Sequence, residues 1–145
     1  MHRRVYLAAV GTAVSAGLAG CSSARSVLAS DPCRGESCHI GMNRTEFLPD
    51  SYEISVGDTV VWKNTSEADH TITAYNELIP DDAAYFASGG FETQAAAYDA
   101  WRNERDGGLG PRQTYEHTFE VPGTYKYFCI PHERANMTGE IVVSE

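Results

Sequence analysis

Apolar and polar residues alternate in short runs along most of this chain. Ile54 and Val56 are separated by polar neighbours, and Gly57-Asp58 then turns the chain. Thr59-Val60-Val61-Trp62-Lys63 is β-branched and aromatic, the composition of a strand. A polar loop, Asn64 to Asp69, leads into His70-Thr71-Ile72-Thr73, which reads as another short strand. Tyr115 to Val121 alternates, Pro122-Gly123 marks a turn, and Thr124 to Cys129 alternates again. Ile141-Val142-Val143 closes the chain as a last strand, and the alternation after Cys38 reads as the first. Short strands set apart by turn signals predict an all-β fold, a Greek-key β-sandwich with antiparallel strands.

The middle of the chain breaks this period. Thr93 to Arg105 contains Ala95, Ala96, Ala97, Tyr98, Ala100 and Trp101, mostly good helix formers, and Gly107-Gly108 provides a stop. One helix is therefore predicted, in an insertion at about residues 76–112 between the two halves of the sandwich. Tyr98 and Trp101, three residues apart, share a face and read as packing anchors.

The N-terminus reads as an address. His2-Arg3-Arg4 precedes a run of small and apolar residues, Val5 to Gly20, too short and too rich in Gly and Ala for a membrane-spanning helix. Leu18-Ala19-Gly20-Cys21 looks like a lipobox. Residues 1–20 are thus expected to be a signal peptide, cut before a lipid-carrying Cys21, and the Arg pair suits twin-arginine or general export. Residues 21–37 lack a sustained apolar period and read as a tether, which leaves 38–145 as one domain. This places the protein on the extracytoplasmic face of the membrane, in contact with it through the lipid anchor.

Charge narrows the partners. The chain has 11 Lys and Arg against 20 Asp and Glu, a formal charge of −9. Loss of Arg3 and Arg4 with the signal leaves nine basic against twenty acidic residues, or −11. Such a surface repels nucleic acid and anionic lipid. Lys63 and Lys126 are the only lysines, a balance resembling proteins of salt-loving organisms. Asn43, Asn64 and Asn136 each begin a glycosylation sequon, a pattern common by chance.

The four cysteines sort by context. Cys21 suits lipid, and Cys129 lies in a ligand-rich loop. Cys33 and Cys38 are close enough to form a small disulfide in an oxidising compartment. Cys38-His39 with Met42 is the competing reading, a second soft metal site.

The dense chemical signal is Cys129-Ile130-Pro131-His132-Glu133-Arg134-Ala135-Asn136-Met137. The Cys ends one strand and the Met precedes the next, so thiolate, imidazole and thioether share one loop at an end of the sandwich. Thiolate and thioether favour Cu(I), and imidazole suits both copper states; a trigonal Cys-His-His set with a weak Met is the type 1 copper arrangement. Structural zinc instead closes a tetrahedron of strong ligands. The loop supplies one His, so a second must come from elsewhere. His2 lies in the signal and His117 in a strand, which leaves His70, at a strand edge after a polar loop, and His39.

Residues 56–64, Val-Gly-Asp-Thr-Val-Val-Trp-Lys-Asn, then His70-Thr71-Ile72-Thr73 and Gly123-Thr-Tyr-Lys-Tyr-Phe-Cys-Ile-Pro-His, resemble the plastocyanin-type cupredoxins, especially the halocyanin group of archaeal surface lipoproteins. The likeness runs over about residues 39–145, and the helical insertion departs from it. It implies one bound copper ion, held by His70, Cys129, His132 and Met137. It also implies a one-electron shuttle between redox protein partners at the membrane. In this family a backbone N–H beside the first His hydrogen-bonds the thiolate, which points to Thr71. Asn64 is a candidate to tie the two copper loops together, or else simply turns the chain. Two other functions compete with this one. A copper enzyme needs a further His cluster that this chain lacks. A copper-binding or delivery protein without a shuttle role is the alternative reading.

Overall fold

The computed structural model describes Cys33 and residues 37–145; the predicted signal, Cys21 and most of the tether lie outside these described residues. Eight strands form two four-stranded sheets. In chain order they are β1 (Ile40–Met42), β2 (Phe47–Leu48), β3 (Ser51–Ser55), β4 (Thr59–Asn64), β5 (Thr73–Ala74), β6 (Thr114–Thr118), β7 (Gly123–Phe128) and β8 (Thr138–Ser144). One sheet runs β2-β1-β4-β6 and the other β3-β8-β7-β5. The chain changes sheet between β2 and β3, between β3 and β4, and again after β4, β5, and β6. This is a Greek-key β-sandwich.

The expectation of purely antiparallel strands needs correction. β1 pairs β4 in parallel, with Ile40 opposite Trp62, and β3 pairs β8 in parallel, with Ile54 opposite Val143. Alternation reports which face of a strand is buried, not which strand lies beside it or in which direction. The His70–Thr73 segment also differs. Only Thr73–Ala74 forms ladder strand, and His70 makes a single antiparallel bridge to Leu109.

The inward faces meet around aromatic rings. Trp62 lies at the centre of this core, against Phe86, Tyr115, Phe119 and Tyr127. Val60, Trp62 and Asn64 face inward from β4, Tyr125 and Tyr127 from β7, and Ile141 and Val143 from β8. Fully burying side chains of this size contributes roughly 1.5–3 kcal/mol each. Gly57, at φ +90°, makes the turn between β3 and β4, where a side chain would be strained.

Helix α1 (Gln94–Glu104) lies in the predicted insertion. The Thr93 hydroxyl caps its start by accepting from Ala96 N–H at 3.1 Å. Its end comes earlier than the glycine pair, at Arg105, which adopts the left-handed conformation (φ 58°) with its N–H bonded to Trp101 O at 2.9 Å. Ala97 and Trp101, one turn apart, are buried, whereas Tyr98 is half-buried on the neighbouring stripe. His117 stacks on Phe86 at 4.9 Å.

Cys33 and Cys38 are joined in a disulfide. Among the described residues this removes the second soft metal site, because Cys38 has no free thiol, Met42 is buried in the core and His39 Nδ1 accepts from Val61 N–H at 3.0 Å. Asn64 is also buried, which excludes a sugar there in the folded domain.

Gly139 lies opposite Tyr127 in the β7–β8 ladder, and a Cβ there would fall 2.5 Å from the Tyr127 hydroxyl. The phenol ring fills the space that a side chain would need. Gly139→Ala is expected to destabilise the domain by about 1–3 kcal/mol, read as a lowered denaturant midpoint at unchanged slope.

Candidate metal centre

The strand order brings four chain segments to one end of the sandwich: β4 and β7 finish there, and β5 and β8 begin there. Cys129 follows the last residue of β7. A 3₁₀ segment, Ile130–Ala135, then carries His132, and Asn136 leads back in the left-handed conformation (φ 59°). The loop closes on itself through Cys129 N–H to Met137 O at 3.0 Å and Met137 N–H to His132 O at 3.3 Å.

His70 reaches the same point from the other sheet connection. Cys129 Sγ lies 3.5 Å from His70 Nδ1 and 3.4 Å from His132 Nδ1, and the two imidazole rings are 4.7 Å apart. These three donor atoms lie within 4.8 Å of one another, the one such His/Cys/Asp/Glu cluster among the described residues. His39 lies elsewhere, bonded to β4. Met137 is buried at the far end of the loop.

The surroundings orient each donor. Thr71 N–H points at Cys129 Sγ from 3.4 Å, and Thr71 Oγ1 accepts from Ile130 N–H at 2.8 Å. That pair links the His70 segment to the ligand loop. Asn64 acts on the His70 side. Its Nδ2 donates to Ala68 O at 2.6 Å and Leu109 O at 2.9 Å, and its Oδ1 accepts from Ser66 N–H and Oγ–H. With its proton given to Asn64, Ser66 Oγ is left to accept from His70 Nε2 at 3.0 Å. The proton then resides on Nε2 and leaves Nδ1 bare toward the sulfur. Sequence reasoning passed over Ser66 and Leu109. Serine in a polar loop carries no distinguishing signal, and Leu109 acts through its backbone.

The electrostatics call for a cation. Burial pushes the Cys129 thiol up to about 11, although the Thr71 N–H favours the thiolate. Burial, and then the neighbouring His132, lowers His70 to about 4, and burial also lowers His132. Two neutral imidazoles and a thiol that ionises only beside positive charge fit a soft metal ion.

A family model described as copper binding proteins, plastocyanin/azurin family, matches residues 36–144. The chain belongs to this family. Plastocyanin of Vicia faba is 33% identical over 100 residues, 68% of this chain and 87% of its own length. The chloroplastic major isoform of Arabidopsis thaliana is 30% identical over 138 residues, 95% of this chain and 70% of the relative. A purple cupredoxin from Nitrosopumilus maritimus shares the fold, with a TM-score of 0.52 and 24% identity, over 74% of this chain and 100% of the other. This cupredoxin is accordingly a blue copper electron carrier, of a family that carries electrons rather than catalysing reactions, and its cofactor is copper. His70, Cys129 and His132 are positioned to hold it.

A pH dependence follows for the metal-free protein. The unfolded chain protonates His70 near 6.5, the folded chain only near 4. Between these values the unfolded state binds more protons, so stability falls as pH falls. We expect a loss of about 1–2 kcal/mol from pH 7 to pH 5, measured by denaturant unfolding, with most of the slope removed in His70→Gln.

Proposed function

We propose that this cupredoxin is a lipid-anchored one-electron shuttle on the extracytoplasmic face of the membrane, passing electrons between membrane-associated redox proteins. The observation that carries this reading is the unequal burial of the donors. Cys129 and His70 are fully enclosed, whereas His132 is partly exposed. Only the His132 edge therefore offers a short route to a partner, beside half-buried Ile130 and exposed Pro131. An apolar edge beside the exposed donor suits the small interfaces of weak redox encounters.

Bound copper would supply the one-electron change, and the residues would hold the donors in one arrangement throughout. Thr71 holds the sulfur and the Ile130 amide, Ser66 holds the tautomer of His70, and the bonds from Met137 to Cys129 and His132 keep the loop closed. The lipid anchor on Cys21 and the narrower likeness to halocyanins are part of this proposal and rest on sequence motifs. Enclosure of two donors also favours retention of copper over its delivery.

Copper(II) titration with optical and EPR spectra tests the reading. We expect an intense blue thiolate-to-copper band, abolished in Cys129→Ala, and a reversible midpoint potential. Met137→Leu replaces a lone-pair donor with a hydrocarbon; soft as the thioether is, its loss costs the doubly charged ion more than Cu(I), so the band persists and the potential rises. A copper adduct with no such band, or one that cannot be reversibly reduced, sinks the shuttle.

A further inference from the structure

We propose that Tyr98 is a positioning residue for the metal site, through which the helical insertion braces the ligand loop. The insertion touches both segments that carry ligands. On the His70 side the contact is backbone pairing: Leu109 N–H donates to His70 O at 2.7 Å, and His70 N–H donates to Leu109 O at 3.1 Å. Ser88 extends it, accepting from Ile72 N–H at 2.9 Å and donating to Gly107 O at 2.6 Å. On the other side, Tyr98 Oη–H donates to Glu133 Oε2 at 2.6 Å. Glu133 follows His132 directly, and its carbonyl accepts from Asn136 N–H at 3.0 Å.

Helix α1 spans these two attachments. Trp101, three residues beyond Tyr98, packs so closely on Gly108 that a Cβ there would fall 3.0 Å from its ring. Gly108 adjoins Leu109, so one rigid helix connects the Glu133 contact to the His70 contact. The Tyr98 ring is held before its hydroxyl engages, packed against Phe128 at 5.6 Å with the Arg102 guanidinium over it at 4.8 Å. Little side-chain freedom is then lost in making the bond, and a short bond to a carboxylate is among the stronger kinds. The brace acts on His132 from outside the sheets, on the one donor that neither sheet encloses. A plain packing role would require the ring but not the hydroxyl.

Tyr98→Phe and Glu133→Ala, singly and together, test this by backbone amide hydrogen exchange of the metal-free protein. If the brace exists, the His132, Asn136 and Met137 amides exchange about three- to tenfold faster in each single variant, and the double variant is no faster than either. Amides of β7 and β8 are unchanged. In the copper-loaded protein, release to a chelator speeds by a similar factor while the blue band persists. Unchanged loop exchange, additive effects in the double variant, or a uniform loosening of the whole domain would overturn the proposal. The inference rests on the copper reading for its purpose, but the exchange data stand without metal. A protein that takes up no copper refutes that reading, whereas unaltered exchange refutes the brace.

Discussion

Cys129 joins the ligand loop to the His70 segment, and the site depends on how its sulfur is held. The chain leaves β7 at this residue, and the sulfur meets Thr71 N–H at 3.4 Å. The next amide, Ile130, donates to the hydroxyl of the same threonine at 2.8 Å. Two bonds between two residues thus fix the distance between the His70 segment and the ligand loop. Both are buried or partly buried, where an unmet donor would be costly, so this junction has few alternatives.

The electrostatic setting follows from that enclosure. A thiol in a dry site resists ionisation, and imidazoles in the same site resist protonation. The two tendencies conflict with a free anion but agree with a bound cation, which would take the proton's place on sulfur and find the bare Nδ1 of His70 beside it. Asn64 contributes at one remove. All of its polar side-chain atoms are engaged, and through Ser66 it settles which His70 nitrogen carries hydrogen. Asn64, a candidate either to tie the copper loops or to turn the chain, is a buried hub for the loop that carries His70.

The segment that carries the helix is built into the domain. Phe86 enters the sandwich core and stacks with Trp62 at 6.1 Å, so the extra chain shares the main hydrophobic cluster. Its return stretch, through Leu109, pairs with the metal-binding segment. The sandwich and the insertion therefore depend on each other, and the metal end is where they meet.

Local chemistry was enough to read much of this from the sequence. The period-2 runs marked the strands, the alanine-rich stretch marked the helix, and the Cys-x2-His-x4-Met spacing marked the ligand loop, because each signal lies within a few consecutive residues. Elimination narrows the second imidazole only to His70 or His39, and the family likeness points to His70, since nothing near it in the chain names its partners. The parallel pairings, the short extent of the His70 strand, the Ser66 contact and the Tyr98–Glu133 bond were decided only by the tertiary structure. Each joins positions whose pairing depends on how the sheets are stacked or the loop is folded, and alternation of polarity carries no information about which neighbour lies across the gap.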